Sequence, residues 1–402
     1  MKMRYDVLIV GGGMVGSALA CALGNSGLSV AVLERRLPPT FTPEQPHDLR
    51  VSALSIASER FLQNIGAWDG IKARRSCPYK RMKVWESDSR QGATEFNAAD
   101  SGYTHLGHIV ENRIVQLALL ERVRQFDNID LISPAPTRHI DYVPGATLIE
   151  LENGEQLVGR LVIAADGGDS VVRQTAGIGV TKWDYHQHAL IAGATTAYGQ
   201  EDITWQQFTP SGPLAFLPLS GHNASIVWYN TPNEVKRLLA LSDAEFKQQL
   251  HARFPAELGE ITDIQGRGSF PLRRQHAHRY VLEGLALVGD AAHMIHPLAG
   301  QGVNIGLLDA ASLADVLLTA QARGEGVDSL PVLARYENQR RRHNLLMMQV
   351  MDGFYHVFSN DVVPLKLLRN LGLGLAGRVP PARKRVMEFA MGIRGTLPDL
   401  AR

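Results

Sequence analysis

The residues of this chain best suited to chemistry are glycines set close to an acid, and they occur in three places. At the front, Gly11, Gly13 and Gly16 stand in the spacing G-x-G-x-x-G within VGGGMVGS, and Glu34 follows roughly 20 residues later. Such glycines let the backbone turn tightly and approach a pyrophosphate, while the helix behind them turns its N–H groups toward negative charge. A carboxylate at that distance accepts from ribose hydroxyls. In the middle, LVIAA ends at Asp166 and Gly167. Late in the chain, residues 287–306 read LVGDAAHMIHPLAGQGVNIG. Asp290 there sits at the carboxyl end of an apolar run, where ligands bind in open α/β sheets. Gly300 and Gly302 let a helix start against a ligand and present N–H groups from about Gln301 to Asn304, an arrangement that favours an anion.

These residues need elements to hold them, and the apolar pattern supplies them. Tyr5 to Val10 reads as a buried parallel strand, Ser17 to Gly24 continues as a helix, and Leu28 to Leu33 is a second strand ending at Glu34. A second match to the glycine template, Gly372, Gly374 and Gly377, follows a helical segment and runs into RVPP, so it lacks the strand and helix that would give it meaning. From Arg50 to Val115 the simple alternation of strand and helix is lost, although RVSALSIASERFLQNIG turns helical in its second half and GHIVENRIVQLALLERV reads as a strand tip entering a helix. From about His188 to Tyr229 the texture changes to short β-like segments separated by turn residues, which predicts an antiparallel sheet inserted between the pieces of the first fold and therefore a cleft. Gly284 to Val288 returns to the texture of a buried strand.

The totals exclude several classes. A net charge of +1 over 402 residues gives no basic surplus, so no nucleic-acid partner is expected. Cys21 and Cys77 are too few for a disulfide framework or a cysteine metal site; buried thiols and a reducing, cytoplasmic setting fit them. The first apolar run meets glycines at once, so no signal peptide is expected there, and no stretch of about 18 apolar residues suggests a membrane span.

The order and spacing of GGGMVG, ADGGDSVVR and GDAAHMIHPLAGQGVNIG resemble the FAD-dependent aromatic hydroxylases over essentially the whole chain, and DAAHMIHPLAGQGVN with RVSALSIAS and GHIVENRIV resembles their ubiquinone-biosynthesis branch. The resemblance implies an α/β fold: a Rossmann-type FAD-binding domain, like that of p-hydroxybenzoate hydroxylase, with an inserted antiparallel β-sheet substrate domain and C-terminal helices. We expect residues 1–75, 103–180 and 275–345 in the FAD-binding domain, 76–102 and 181–274 in the substrate domain, and 346–402 in the helical segment. Carried over residue by residue, Gly11, Gly13, Gly16 and Glu34 would hold the ADP half of FAD. Arg50 would reach its phosphate and ribityl region, Asp166 and Gly167 its phosphates and the nicotinamide approach, and Asp290 its ribityl hydroxyls. Asn112 falls where many relatives have Arg or Gln, a departure that puts its cofactor contact in doubt. Gly300, Gln301 and Gly302 shape the turn, Val303 and Asn304 would touch the flavin ring through backbone N–H groups, and Pro297 would lie beside that ring on the substrate side.

The implied activity is hydroxylation of a polyprenylated benzoquinol, a demethoxyubiquinol by the likeness of WQQFTPSGPLAFLPL and IVWYNTP, through a C4a-hydroperoxyflavin formed from O2 after reduction by NADPH or NADH. A hydroquinol ring is already electron-rich, so no general base is expected. Two alternatives stay open: a sister hydroxylase acting at another ring carbon, and a noncatalytic FAD-binding subunit of a biosynthetic assembly. Partners left open are a homo-oligomer, such an assembly, and a peripheral contact with the inner membrane surface through amphipathic segments between Leu345 and Met391. His293 and His296, three apart on a loop without a third ligand, are expected to pack or hydrogen-bond near the flavin rather than hold a metal. Trp205, Phe216 and Trp228 read equally as sheet core and as substrate wall, and Arg340, Arg341 and Arg342 as a solvated helix face.

Overall fold

A computed structural model describes residues 2–86, 89–199, 202–254, 258–296, 301–358, 387–388, 391–393 and 395–402. Strand β1 (Lys2–Val10) turns at Gly11 into α1 (Met14–Ala22), and β2 (Val30–Leu33) follows. Next come β3 (Val51–Ser55), α2 (Ile56–Asn64), α3 (Trp68–Lys72), β4 (Cys77–Tyr79), β5 (Arg81–Glu86), β6 (Ser89–Asn97), β7 (Gly107–Glu111) and α4 (Asn112–Val123). The chain continues through β8 (Ile129–Ile132), β9 (Thr137–Asp141), β10 (Thr147–Leu151), β11 (Gln156–Ala164) and α5 (Val171–Thr175). After them lie β12 (Val180–Thr196), β13 (Ile203–Thr209), β14 (Gly212–Leu219), β15 (Asn223–Asn230), α6 (Pro232–Ala240), α7 (Asp243–His251) and β16 (Ile261–Ala277). The last elements are β17 (Val281–Leu282), β18 (Leu285–Leu287), β19 (His293–Met294), α8 (Gln301–Ala322) and α9 (Leu330–Phe358).

Three sheets result. In the first, the order is β17-β18-β11-β1-β2-β8, and its centre is parallel: Val7 to Val10 pair with Leu161 to Ala164 on one side and with Val30 to Leu33 on the other. Both faces are covered, so Val7, Leu8 and Ile9 are wholly buried, as their continuous apolar run requires. The second sheet, β19-β16-β12-β15-β14-β13-β5-β6, is larger than the segment His188 to Tyr229 suggested and carries one parallel pairing, β13 with β5. The third is the small sheet β3-β7-β4.

Strand alternation in the second sheet sorts its aromatics. Trp205, Phe216 and Trp228 share one apolar cluster with Val235, Leu238, Phe246 and Leu250 on the side covered by α6 and α7, and Trp205 is also part of the cavity lining. Those two helices are well stopped at their starts: Thr231 caps α6 ahead of Pro232, and Ser242 with Glu245 forms a capping box on α7. The intervening residues Ala215, Leu217, Val227 and Tyr229 face the other way, toward a cavity.

Helix α8 runs through the core of the first sheet's layer. Its stretch Gly302–Ala322 is long and apolar enough to cross a bilayer, yet 78% of its most apolar window is buried inside the protein. Close packing sets its position, because a Cβ added at Gly306 would stand 2.8 Å from a Val15 methyl and 3.2 Å from the Gly289 Cα. Buried charge fixes its rotation. Asp309 on α8 is fully buried; its Oδ1 accepts from Arg340 Nε at 2.8 Å and Asn344 Nδ2 at 3.0 Å, and its Oδ2 meets His293 Nε2 at 2.5 Å and the Gly289 N–H at 3.3 Å. The network continues from Asn344 to the Tyr280 hydroxyl and on to His276 Nε2. Arg340 is thus 3% exposed and not part of a solvated face; among the three arginines only Arg342 is exposed, since successive helical residues diverge by about 100°. Both cysteines are buried, and burial pushes the Cys21 thiol up to about 12. The glycines at 372, 374 and 377 and most of the segment Leu345 to Met391 read as amphipathic lie outside the described residues.

Asp309→Ala would leave the Arg340 guanidinium buried without its carboxylate, and we expect a loss of about 3–5 kcal/mol in urea unfolding; a loss below about 1 kcal/mol would show that the pair does not hold the helices. The pH dependence has a definite sign. Burial holds His276, His296 and His343 down to about 4 from 6.5. Between those values the unfolded chain binds more protons than the folded one, so the stability present above about pH 6.5 is lost as pH falls toward 4. Burial pushes the Asp309 carboxyl up, but His293 and Arg340 outweigh it and hold it below the usual range, so its contribution is present above about pH 4 and is lost on further acidification. Thermal unfolding followed from pH 7.5 to 4.5 checks the histidine contribution; a flat midpoint over that range would contradict it.

Candidate functional site

Three backbone turns at the carboxyl ends of β1, β11 and β18 face one cavity. The first is built from glycines that admit nothing larger. Gly11 has φ +109°, and a Cβ there would lie 2.4 Å from the Ala165 carbonyl oxygen; at Gly16 it would lie 2.0 Å from the Gly11 oxygen. The loop between them is shaped by its Gly12 peptide. The Gly12 carbonyl accepts from Ser17 Oγ at 3.0 Å and from Gln116 Nε2 at 2.8 Å, and its N–H donates to Glu34 Oε2 at 2.8 Å. Glu34 is therefore fixed beside the glycine loop, with Oε1 accepting from the Arg36 N–H.

The second turn is held by Asp166, whose Oδ2 accepts from the N–H groups of Val171 and Val172 at 2.8 and 3.2 Å, closing the start of α5. Its Oδ1 is buried and has no hydrogen-bond partner among the described residues. Burial raises the Asp166 carboxyl against the lowering pull of those hydrogen bonds. Arg173, 2% exposed, ties this turn to the third: Nη1 donates to the Ala291 carbonyl at 2.8 Å and Nη2 to the Gly168 carbonyl at 2.9 Å.

In the third turn, Asp290 projects from the tip of β18 onto the cavity, and the start of α8 brings Gly302 and Val303 beside it. The Asn304 side chain faces the protein, not the cavity. It donates to the Ala53 carbonyl at 2.8 Å and accepts from the Ser55 N–H at 2.9 Å and Ser58 Oγ at 2.8 Å, clasping α8 to the β3–α2 corner. Pro297 and Gly300 lie outside the described residues, and Gln301 is placed as the first residue of α8. His293 is taken up by Asp309, and His296 is packed edge-on against Tyr185 and Tyr229, with ring centroids 4.5 and 5.5 Å away.

The cavity encloses about 450 Å³, within the range of small-molecule sites. Gly13, Arg50, Asn112, Gly167, Asp290, Gly302 and Val303 line one side, so these seven of the residues singled out from the sequence share one surface. Asn112 lines it while its Oδ1 accepts from Ser52 Oγ at 2.7 Å and its N–H donates to the Arg50 carbonyl. The opposite side is the inner face of the second sheet with Ile191, Ala215, Leu217, Val227, Phe270 and Leu272. Among the described lining residues the titratable groups are Arg50, Arg273, Asp290 and the phenols of Tyr79 and Tyr229, and burial pushes both phenols up, Tyr79 to about 12. Neither phenol is a base near neutral pH.

The residues fit a long, polyanionic cofactor on the glycine side. At Gly13, Gly167 and Gly302 an added Cβ would meet nothing within 4 Å, which leaves room for a ligand to lie against the backbone, and the unpartnered Asp166 Oδ1 stands between the first and third turns' strands. Gln116, Arg173 and Asp309 were not singled out as site residues from the sequence. Arg173 stands inside the motif ADGGDSVVR, and that placement was the one signal that could have found it.

Comparison with known proteins agrees. The FAD binding domain family matches residues 4–351. The chain is 42% identical over 388 residues to the 3-demethoxyubiquinol 3-hydroxylase of Escherichia coli K12, covering 96% of this chain and 98% of that one. It is 38% identical over 387 residues to the ubiquinone hydroxylase UbiL of Rhodospirillum rubrum, covering 96% and 89%. Among solved structures, the p-nitrophenol 4-monooxygenase PnpA of Pseudomonas putida DLL-E4 superposes with a TM-score of 0.80 at 19% identity over 97% of this chain and 98% of that one, which shows a shared fold. Three glycine-framed turns facing one cavity, with a matching family over most of the chain, make this protein a member of the FAD binding domain family, an FAD-dependent aromatic hydroxylase of the ubiquinone hydroxylase branch.

Proposed function

We propose that the chain hydroxylates the ring of a polyprenylated benzoquinol in ubiquinone biosynthesis, with a demethoxyubiquinol as substrate, consuming O2 and electrons from NADPH or NADH. The observation that carries this reading is the composition of the cavity: a polar, glycine-framed side for the cofactor faces a largely apolar sheet whose described lining includes Arg273, Thr204, Gln206 and Ser225 but no histidine, lysine or glutamate. With FAD bound, the chemistry it supplies is transfer of one oxygen atom from O2 to an electron-rich ring.

The chain's own residues then have three tasks. Gly11, Gly13 and Gly16 bring backbone against the pyrophosphate while the N-terminus of α1 faces its charge. Glu34, Arg50, Asp166 and Asp290 hold the ribose, phosphate and ribityl groups, and the Asp166 Oδ1 gains the hydrogen bond it lacks. Ala215, Leu217, Val227 and Leu272 exclude water and hold a flat ring, which matters because water near the reacting oxygen diverts it to hydrogen peroxide. A hydroquinol carries two electron-donating oxygens of its own, so no side chain has to remove a proton before the oxygen atom is transferred. The degree to which the 3-demethoxyubiquinol 3-hydroxylase resembles this chain supports the choice of substrate.

Three measurements test this. Reduced enzyme exposed to O2 with a demethoxyubiquinol is expected to give a product heavier by one oxygen at the demethoxy ring carbon; a product hydroxylated elsewhere would assign another quinol, and no product with full FAD occupancy would remove the enzymatic reading. Asp290→Ala should weaken FAD binding by about tenfold or more, the equivalent of one hydrogen bond to a charged group, with an unchanged far-UV spectrum; equal FAD occupancy would remove that residue from the site. Val227→Trp should fill the ring side of the cavity, cutting product formation at least about tenfold while FAD stays bound and peroxide release rises; wild-type coupling would show that the ring does not lie there.

A further inference from the structure

A second group of chemistry-bearing side chains lies on α2 and at β7, and the proposed reaction does not use it. Glu59 projects from α2, His105 from the loop before β7, and His108 from β7 itself. His105 Nε2 is 2.7 Å from Glu59 Oε2, and His108 Nδ1 is 3.2 Å from the same oxygen. The two imidazole rings are 4.5 Å apart at 68°, and one ligand atom from each residue lies within 4.8 Å of the others. Glu59 and His108 are buried, whereas the His105 side chain is 20% exposed and leaves the cluster reachable from solvent.

Two features separate this group from an ordinary hydrogen-bonded knot. The first is a shared acceptor: His108, 7% exposed, places Nδ1 3.2 Å from the Glu59 oxygen that His105 Nε2 already occupies at 2.7 Å. One oxygen thus serves two imidazole nitrogens. The second is the outer ring of contacts. Thr104 Oγ1 lies 2.8 Å from His105 Nδ1, and Gln63 Nε2 donates to Glu59 Oε1 at 3.0 Å, so the far atoms of His105 and Glu59 are held and their near atoms are turned inward. Outer contacts of this kind orient the ligands of metal sites.

We propose that Glu59, His105 and His108 form a binding site for a divalent transition-metal ion, Zn2+ by preference, with water in the fourth position. Two imidazole nitrogens and one carboxylate oxygen suit zinc, whose bonds of about 2.0–2.2 Å place neighbouring ligand atoms a little over 3 Å apart. The His108 to Glu59 separation already has that value, and His105 Nε2, 2.7 Å from the same oxygen, would move outward by about half an ångström to reach it. An ion there gives His108 Nδ1 a ligand of its own in place of a shared oxygen and ties α2 to β7.

Metal-free full-length protein titrated with ZnCl2 by calorimetry, and with CoCl2 by visible absorption, tests the site alongside His105→Ala, Glu59→Gln and the exposed His186→Ala as a control. We expect one Zn2+ per chain for wild type and control, binding weaker by at least about tenfold in His105→Ala and Glu59→Gln, and Co2+ bands of a four-coordinate nitrogen and oxygen site in wild type. FAD retention reports that each variant is folded. Wild type that binds no zinc, or variants that bind it as tightly as wild type, would overturn the proposal. Should both variants fail to fold, the wild-type cobalt spectrum decides alone: bands of an imidazole-bound ion sustain the site and their absence removes it.

Discussion

A carboxylate with no access to water has to be matched at once on every side, and the placement of the cofactor turns depends on one such group. Asp309 is reached by Arg340 and Asn344 from α9, by His293 from β19 and by the Gly289 N–H at the tip of β18. These groups come from parts of the chain up to 55 residues apart, Gly289 and Asn344 being the extremes. Because the partners occupy both oxygens, rotating α8 or sliding α9 strands at least one buried donor, a change that costs more than the loss of any single packing contact. The Gly289 peptide is thereby fixed, and Asp290, the next residue, inherits its direction into the cavity. Geometry at the flavin side is set by charge matching more than 10 residues away in sequence.

The substrate side is governed by a different constraint, the alternation of side chains along strands. Every strand from β12 to β15 sends one set of residues under α6 and α7 and the other set to the cavity. The large aromatics Phe216 and Trp228 go under the helices and Trp205 packs there while also lining the cavity, which leaves Ala215, Leu217 and Val227 to shape much of the rest. Small and medium apolar residues leave room for a ring, and the bulky ones stabilise the sheet that presents them. A shift of one residue in register would exchange these roles completely, so the pairing of Leu214 with Trp228 and of Ala215 with Val227 is as much a determinant of the site as any residue touching the ligand.

The legible parts of this protein were those encoded locally. Gly11, Gly13, Gly16 and Glu34 belong to one strand, helix and strand, and their spacing alone implies the turn. Asp166 and Asp290 announce themselves by ending apolar runs. What escaped was encoded at a distance. The run of three arginines at 340–342 gives no sign of which one points inward, because the group that selects Arg340 is Asp309 on another helix. Arg173 looks like any helix arginine until the Ala291 and Gly168 carbonyls arrive beside it. The 17-residue strand β16 was missed because its apolar positions are sparse and interrupted by Gly266, Gly268 and Pro271, and its pairing with β12 supplies the order its own composition does not. Asn304 shows a subtler limit: its place at the start of α8 was evident, but the direction of its side chain was decided by Ala53, Ser55 and Ser58, some 250 residues earlier.

These two constraints divide the catalytic labour. Much of the flavin side is held by polar groups with fixed partners, Glu34, Asn112 and Arg173 among them, while the Asp166 Oδ1, the Arg50 and Asp290 side chains on the cavity and the open faces at Gly13, Gly167 and Gly302 are left for a ligand to complete. On the proposed reading the sheet side holds the ring by shape, and among its described residues the phenols of Tyr79 and Tyr229 remain protonated at neutral pH. On the proposed reading, selectivity comes from the fit of the ring and from its own electron richness, since the described lining of that side offers a poor ring no carboxylate or imidazole. That makes dryness, and not proton transfer, the quantity that the inner face of the sheet has to secure, and it explains why a cofactor site so dense in charge is faced by a wall so nearly free of it.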